Sequence, residues 1–307
     1  QPVHPLPRVW WRVLMAEYGS VTWPSSSWPL WRLSWGLADS PDQEGIAITQ
    51  ARYKDHQVFY KASLPSLRVQ YNGGCGPYKD PLTYYNAKPT GTCPTRRVCT
   101  YTIWSWGMLG LVIEAYHTIG AYRLTERWTF WQDGQVYPRL FSAGLQCNDD
   151  HRHHAYWRFD FDIDGASSDM AFEFNATTPD IGWGPGWHQK SVETSRVKNP
   201  STSRCWAIMD GNSARGYFIF PGPNDGAADA FSTRDLWVLR YRGSEDRHGN
   251  QGSAYDDGLA AYLTGESVDR ADIVLWYCGH LAHEAHEGGD EWHFVGPRLV
   301  PFRWFAS

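Results

Sequence analysis

The sequence predicts an all-β chain built as one large antiparallel β-sandwich. Three observations predict it. Apolar and polar residues alternate with a period of two along many short segments, which is the pattern of half-buried strands. Turn residues recur at short intervals between those segments, as in Gln132-Asp133-Gly134, a hairpin-type signal. Helix signals are weak, and 307 residues of which 42% are hydrophobic suffice for a single sandwich of this kind. The clearest strand segments are 31–37, 46–53, 57–64, 121–132, 154–163, 170–174, 204–209, 217–221, 235–241 and 272–278. Residues 191–203 and 242–257 are rich in Ser, Asn, Gly or charge and read as polar loops. Residues 1–20 read as a leader segment and 21–307 as one domain. There is no internal repeat.

Charge and cysteine content narrow the class. The formal net charge is −5 with no basic run, which disfavours a nucleic-acid or anionic-membrane partner. The longest apolar stretch, 108–115, is far too short to span a bilayer and contains Glu114. The chain opens at Gln1 rather than Met, which fits a mature secreted protein whose targeting segment is gone. Six cysteines, none in a C-x-x-C pair, suggest disulfides in an oxidising compartment. Cys93 and Cys99 flank a turn at Pro94-Thr95 and are the expected pair. Asn175-Ala176-Thr177 is a glycosylation sequon and agrees with secretion. The 18 Trp read either as stacking platforms for sugars or aromatic ligands or as core filling. Their place in alternating segments favours the core.

Histidines are clustered. Three lie in His151-Arg152-His153-His154, and His280, His283, His286 and His293 follow near the C-terminal end. On a strand, residues two apart face the same way, so His151 and His153 can aim two imidazoles at one ion while His154 faces away. A His-x-His pair with a remote third His suits copper or zinc. A zinc-protease reading fails, because that motif needs His-Glu-x-x-His on a helix and His283-Glu284 is followed by His286 one residue too early.

These residues, taken together, resemble the catalytic domain of copper amine oxidases over about residues 28–305. Segments 44–53 and 58–64 resemble its opening strands. His151-Arg152-His153, followed by 158–165, resembles its two-histidine strand. Segments 216–222, 235–241 and 272–276 resemble later strands. The resemblance implies a β-supersandwich, a copper ion and a third copper ligand that falls on His283, with His280 and His286 as the fallback positions. It also implies a homodimer, and a shortened homologue without the family's N-terminal domains. A peripheral metal site of the family falls on Asp160, Asp162 and Asp272, with the carbonyls of Phe161 and Ile273. That set of oxygen donors suits calcium in a structural role.

The family makes its topaquinone cofactor from a Tyr in a Thr-x-x-Asn-Tyr-Asp/Glu motif. The matching stretch is Thr118-Ile119-Gly120-Ala121-Tyr122-Arg123. Tyr122 is kept, while Ala121 and Arg123 replace its flanking Asn and acid. Arg123 would also set a positive charge beside a site meant for a cationic amine. The general base of the family falls on Asp80, in Tyr78-Lys79-Asp80-Pro81, or on Asn86, in Tyr84-Tyr85-Asn86. A positioned base contributes about 10²–10⁴-fold, and an amide at Asn86 could not supply it. The expectation is a secreted mononuclear copper oxidoreductase that works without topaquinone, with Tyr122 and Asp80 as its catalytic residues. The alternatives are a topaquinone-dependent primary amine oxidase and a non-enzymatic copper-binding protein.

Overall fold

The computed structural model describes residues 15–39, 44–176, 186–247 and 258–304. Two large antiparallel sheets face each other. The nine-stranded sheet runs in the order Met15–Pro24, Pro29–Ala38, Ile46–Tyr53, His56–Tyr71, His151–Phe161, Ile273–His283, Leu236–Arg240, Thr194–Arg196, with Tyr78–Lys79 added on His56–Tyr71. The eleven-stranded sheet runs Gly186–Lys190, Asp169–Asn175, Cys205–Asp210, Gly216–Phe220, Arg298–Phe302, Val136–Ala143, Tyr122–Trp131, Met108–Ile119, Ala87–Lys88, with Val98–Ser105 and His293–Val295 as additions. Helix is limited to short 3₁₀ turns among the described residues. No helix there is long and apolar enough to cross a membrane.

The two sheets differ in patterning for a physical reason. Strands of the second sheet alternate, as in Val136–Ala143 and Asp169–Asn175, because one face packs on the core and the other meets solvent. The central strands of the first sheet are buried on both faces. Their inner face joins the main core with Leu67, Val69, Trp157, Phe159 and Phe161. Their outer face is covered by a second cluster around Tyr156, Trp237, Trp276 and Cys278. Every strand segment expected from the sequence overlaps a strand, six of them running one or two residues past its ends, and the expected loop 191–203 contains the short strand Thr194–Arg196. The sequence reading passed over Val136–Ala143, where Pro138 breaks the apparent run, and Met108–Ile119, where Gly110 does.

Residues 15–20, read from sequence as the end of a leader, begin the Met15–Pro24 strand and pair with Pro29–Ala38. Residues 1–14 lie outside the described set. The disulfide expectation is corrected. The bridge joins Cys75 to Cys147, 72 positions apart, and Cys93 and Cys99 are thiols. Cys93 Sγ lies 3.6 Å from the Val98 carbonyl, and Cys99 Sγ 3.6 Å from Thr90 Oγ1. Burial first, and then the hydrogen bond with Cys93, push the Cys99 thiol up to about 12. Proximity in sequence was a poor guide because the bridge is set by which loops the sheet brings together. Asn175 of the sequon is buried within its strand, and Thr177 lies outside the described residues. The tryptophans are mainly core, Trp31, Trp35, Trp128, Trp157, Trp206, Trp237 and Trp276 being fully buried.

One buried acid gives the fold a pH signature. Glu126 accepts from the Ile46 N–H at 2.8 Å and from Trp128 Nε1 at 2.9 Å. Gly45, at φ +59°, passes so close to this carboxylate that a Cβ there would strike it. The two donors favour the ionised form, but burial outweighs them and raises the Glu126 pKa to about 8. A raised acid stabilises the fold fully below its unfolded pKa, and that stability is lost as pH rises through the folded value. Stability therefore falls between about pH 4.5 and 8 through this group, by on the order of 4 kcal/mol. Denaturant unfolding at pH 5 and pH 8 should record that slope in the native chain and a flatter one in Glu126→Gln. An equal slope in both would assign it to other groups.

Candidate metal centre

Three of the predicted ligands meet at one end of the sandwich. His151 and His153 belong to the His151–Phe161 strand and His283 ends the neighbouring Ile273–His283 strand. The antiparallel register sets His151 directly opposite His283. All three are buried and face the inter-sheet core, as the period of two requires. Ring centroids are 5.2 Å apart for His151 and His153 and 5.1 Å for His151 and His283.

Two of the rings are anchored through one nitrogen and bare on the other. His151 Nδ1 lies 3.2 Å from the Asp149 carbonyl, and His283 Nε2 lies 2.9 Å from the Gly288 carbonyl. His153 Nε2 lies 3.3 Å from Asp80 Oδ2 without a formed hydrogen bond. His151 Nε2, both nitrogens of His153 and His283 Nδ1 are buried without a hydrogen-bond partner. A buried polar nitrogen left bare costs about 1–3 kcal/mol. Metal-ligating histidines characteristically present one nitrogen to the ion and fix the other on a carbonyl or carboxylate. Burial lowers the His151 pKa to about 4, with the His153 charge second, and burial also lowers that of His283. Both are therefore neutral at neutral pH, as a ligand must be. The donor set fits copper or zinc.

Tyr122, from the facing sheet, completes the arrangement. Its ring lies 4.6 Å from His153 and 5.1 Å from His151. Its hydroxyl is 2.5 Å from that of Tyr71. Burial, and then the Tyr71 hydrogen bond, push its pKa well above the usual phenol value. Arg123 does not behave as expected. As the next residue on the strand it points to the opposite face, where it bonds the Gly289 carbonyl and Asp290 and lies against Trp292. Its charge is turned away from Tyr122. Asp80 is buried beside His153, whereas the amide of Asn86 bonds the Pro81 carbonyl at 2.9 Å in a turn. Of the two candidates for the base position, only Asp80 has its carboxylate against a histidine of the centre.

The remaining histidines of the two clusters lie in three places. His286 is exposed and paired with Glu284 at 3.1 Å. His280 and His154 face the outer side of the sheet and touch each other, Nδ1 to Nδ1, at 2.8 Å. His154 is thus turned away as expected, and it is buried. His293, which has no role in the sequence reading, lies with its ring 4.5 Å from that of His283, tilted by 43°. The ligand atoms of His283, Glu287 and His293 lie within 4.8 Å of one another. His151, His153 and His283 do not form so tight a group as they stand. No periodicity could have joined His293 to His283, because they lie on different sheets.

Asp160, Asp162 and Asp272 also converge, with carboxylate oxygens within 4.8 Å of one another. Phe161 ends one strand and Ile273 begins the next, so the two expected carbonyl donors stand at the strand ends that carry these acids. Burial, with mutual repulsion behind it, raises Asp162 to about 7. Burial likewise raises Asp272 to about 6 and Asp160 well above the carboxylate range. Arg158 offsets part of this charge, 3.1 Å from Asp160. A fourth acid, missed in the sequence, stands close by. Both carboxylate oxygens of Asp169 are buried without a hydrogen-bond partner, and burial, then Asp162, push it up to about 9.

The fold is that of the copper amine oxidases. The chain matches the copper-containing benzylamine oxidase of Hansenula polymorpha with a TM-score of 0.70 and 18% identity, over 91% of this chain and 60% of that one. It matches the lysyl oxidase of Pichia pastoris at 0.67 and 16%, over 91% and 52%. It matches the amine oxidase of Aspergillus nidulans at 0.67 and 15%, over 90% and 51%. The chain thus spans between half and three-fifths of the length of these structures. No protein-family profile matches the sequence, and no curated protein matches it.

Proposed function

We propose that this chain is a secreted copper oxidoreductase whose ion is held by His151, His153 and His283, with Tyr122 kept as an unmodified phenol beside it. The observation that carries this reading is the three buried histidines, each with at least one buried nitrogen that has no hydrogen-bond partner. Copper, when bound, supplies one-electron chemistry with dioxygen or peroxide. Asp80 and the carbonyls of Asp149 and Gly288 orient the three rings. The Tyr122 and Tyr71 hydroxyls share a short hydrogen bond, which keeps a proton at the phenol and leaves it neutral at working pH. The Cys75–Cys147 disulfide supports an oxidising, extracellular setting. A second cation, calcium, is assigned to Asp160, Asp162 and Asp272 with the Phe161 and Ile273 carbonyls, as a brace between the two strands that carry the copper ligands.

A topaquinone-dependent amine oxidase is the second reading. It is favoured by the 4.6 Å approach of Tyr122 to His153, since the resemblance assigns the quinone precursor to this Tyr. The two are separated by mass analysis of the Tyr122 peptide after copper loading in air. An unchanged mass is expected, with oxygen or peroxide consumed by the copper-loaded protein. An oxygen-derived mass gain with quinone absorbance would make the amine oxidase the function instead. Unchanged mass with no consumption of either oxidant would leave a non-enzymatic copper-binding protein.

A further inference from the structure

On the outer face of the histidine-bearing sheet, away from Tyr122, a second constellation is buried. His154 and His280 stand directly opposite each other in adjacent strands, and Cys278 lies two residues before His280, on the same face. All three are buried. Their ligand atoms lie within 4.8 Å of one another, with the two Nδ1 atoms 2.8 Å apart and Cys278 Sγ 3.9 Å from His280 Nδ1. Phe231 stacks on the His154 ring at 5.1 Å and closes the group from above.

The outer nitrogens fix the protons. His280 Nε2 lies 2.9 Å from Asp235 Oδ1, and a carboxylate can only accept, so this nitrogen carries the hydrogen. His154 Nε2 lies 3.3 Å from the Gln70 side-chain amide, whose oxygen faces it and accepts in this orientation. Both Nδ1 atoms then present lone pairs to each other at 2.8 Å. Two lone pairs at that distance repel unless a cation lies between them. The carboxylate-to-histidine bond at Asp235 is the arrangement that orients and strengthens a metal-bound imidazole. Lys198 balances the Asp235 charge, with its backbone N–H 2.8 Å from Oδ2 and its ammonium 4.0 Å from Oδ1.

We infer that His154, His280 and Cys278 form a second metal site, and that its ion is copper in the cuprous state. Two imidazoles and one thiolate are a soft donor set that selects Cu(I) or zinc. Burial decides between them. Cu(I) with one thiolate and two neutral imidazoles has no net charge, whereas zinc would leave a positive charge in a dry site, which is costly. A cavity of about 400 Å³ lined by Asn224, Gly226, His280 and His293 opens along this edge of the Ile273–His283 strand. It gives an ion a route to His280. This site does not depend on the proposed copper centre at His151, and it can be tested in a protein that lacks that centre.

The test is an anaerobic Cu(I) titration against a chromophoric chelator. The chain carries His153→Ala, with Cys93→Ser and Cys99→Ser to remove the other adjacent thiols, and is compared with and without Cys278→Ser. The expected result is one Cu(I) bound with a sulfur scatterer in X-ray absorption, and its loss on adding Cys278→Ser. No Cu(I) bound, zinc retained in preference to Cu(I), or binding that Cys278→Ser leaves unchanged would each overturn the site. The first of these results would mean that a proton alone bridges the two histidines. If the combined variants do not fold, Cys278→Ser in the otherwise native chain gives the same reading. Loss of one Cu(I) equivalent supports the site, and an unchanged count overturns it.

Discussion

In a Cys278→Ser chain, which lacks the outer cuprous site, replacing His153 with alanine is expected to empty the copper centre, taking bound copper from one equivalent towards none. His153 is the central test because both of its nitrogens are buried without a hydrogen-bond partner, Nε2 lying 3.3 Å from Asp80 Oδ2. Alanine removes the ligand and leaves His151 and His283 to hold the ion alone. Asp80→Asn isolates the outer contact from the ligand itself. Loss of such an outer partner typically costs about 10–100-fold in metal affinity, so this variant should weaken copper within that range, and His153→Ala should weaken it further. Elemental analysis and a chelator competition read both. Copper held at one equivalent in His153→Ala combined with Cys278→Ser would move the site to His283, Glu287 and His293, whose ligand atoms already lie within 4.8 Å of one another. A melting curve on each variant separates loss of metal from loss of fold.

Calcium should raise the melting temperature, and Asp162→Asn should abolish that rise. The buried acids repel one another in the absence of a cation, and Arg158 compensates only part of their charge. An ion bound only by the folded chain adds about 2.7 kcal/mol at a hundredfold excess over its dissociation constant. For a domain of this size that is about 4 °C. Calcium-selective chelation should reverse the gain and leave copper in place, since the two donor sets share no residue. A melting temperature indifferent to calcium, with no second metal in elemental analysis, would remove this site. Asp169→Asn tests whether the fourth acid takes part. A smaller calcium response there would add it to the ligands, and an equal one would exclude it.

The strand pattern of the chain was legible because each half-buried strand repeats with a period of two. Ile46–Tyr53 falls where the sequence put it. The facing of His151 and His153, with His154 turned away, follows from the same period and needs no tertiary knowledge. So does the convergence of Asp160 and Asp162 at the end of one strand. The family motifs added order to these segments, and the copper amine oxidase fold agrees with them. Arg123 was misjudged for a simple reason. Its neighbourhood in sequence was read as neighbourhood in space, whereas adjacent strand residues point apart.

What the sequence determined by itself was local: strand period, facing, and the residue types able to hold a metal. Pairings between distant strands were decided only by the tertiary structure. The register of His151 against His283, the reach of Tyr71 to Tyr122, and the Cys75–Cys147 bridge all join residues far apart in the chain. So does the meeting of His154 and His280, which sets two lone pairs face to face. No periodicity encodes such contacts. They depend on which strands lie side by side and in what register, and that is fixed by packing the two sheets around a common core.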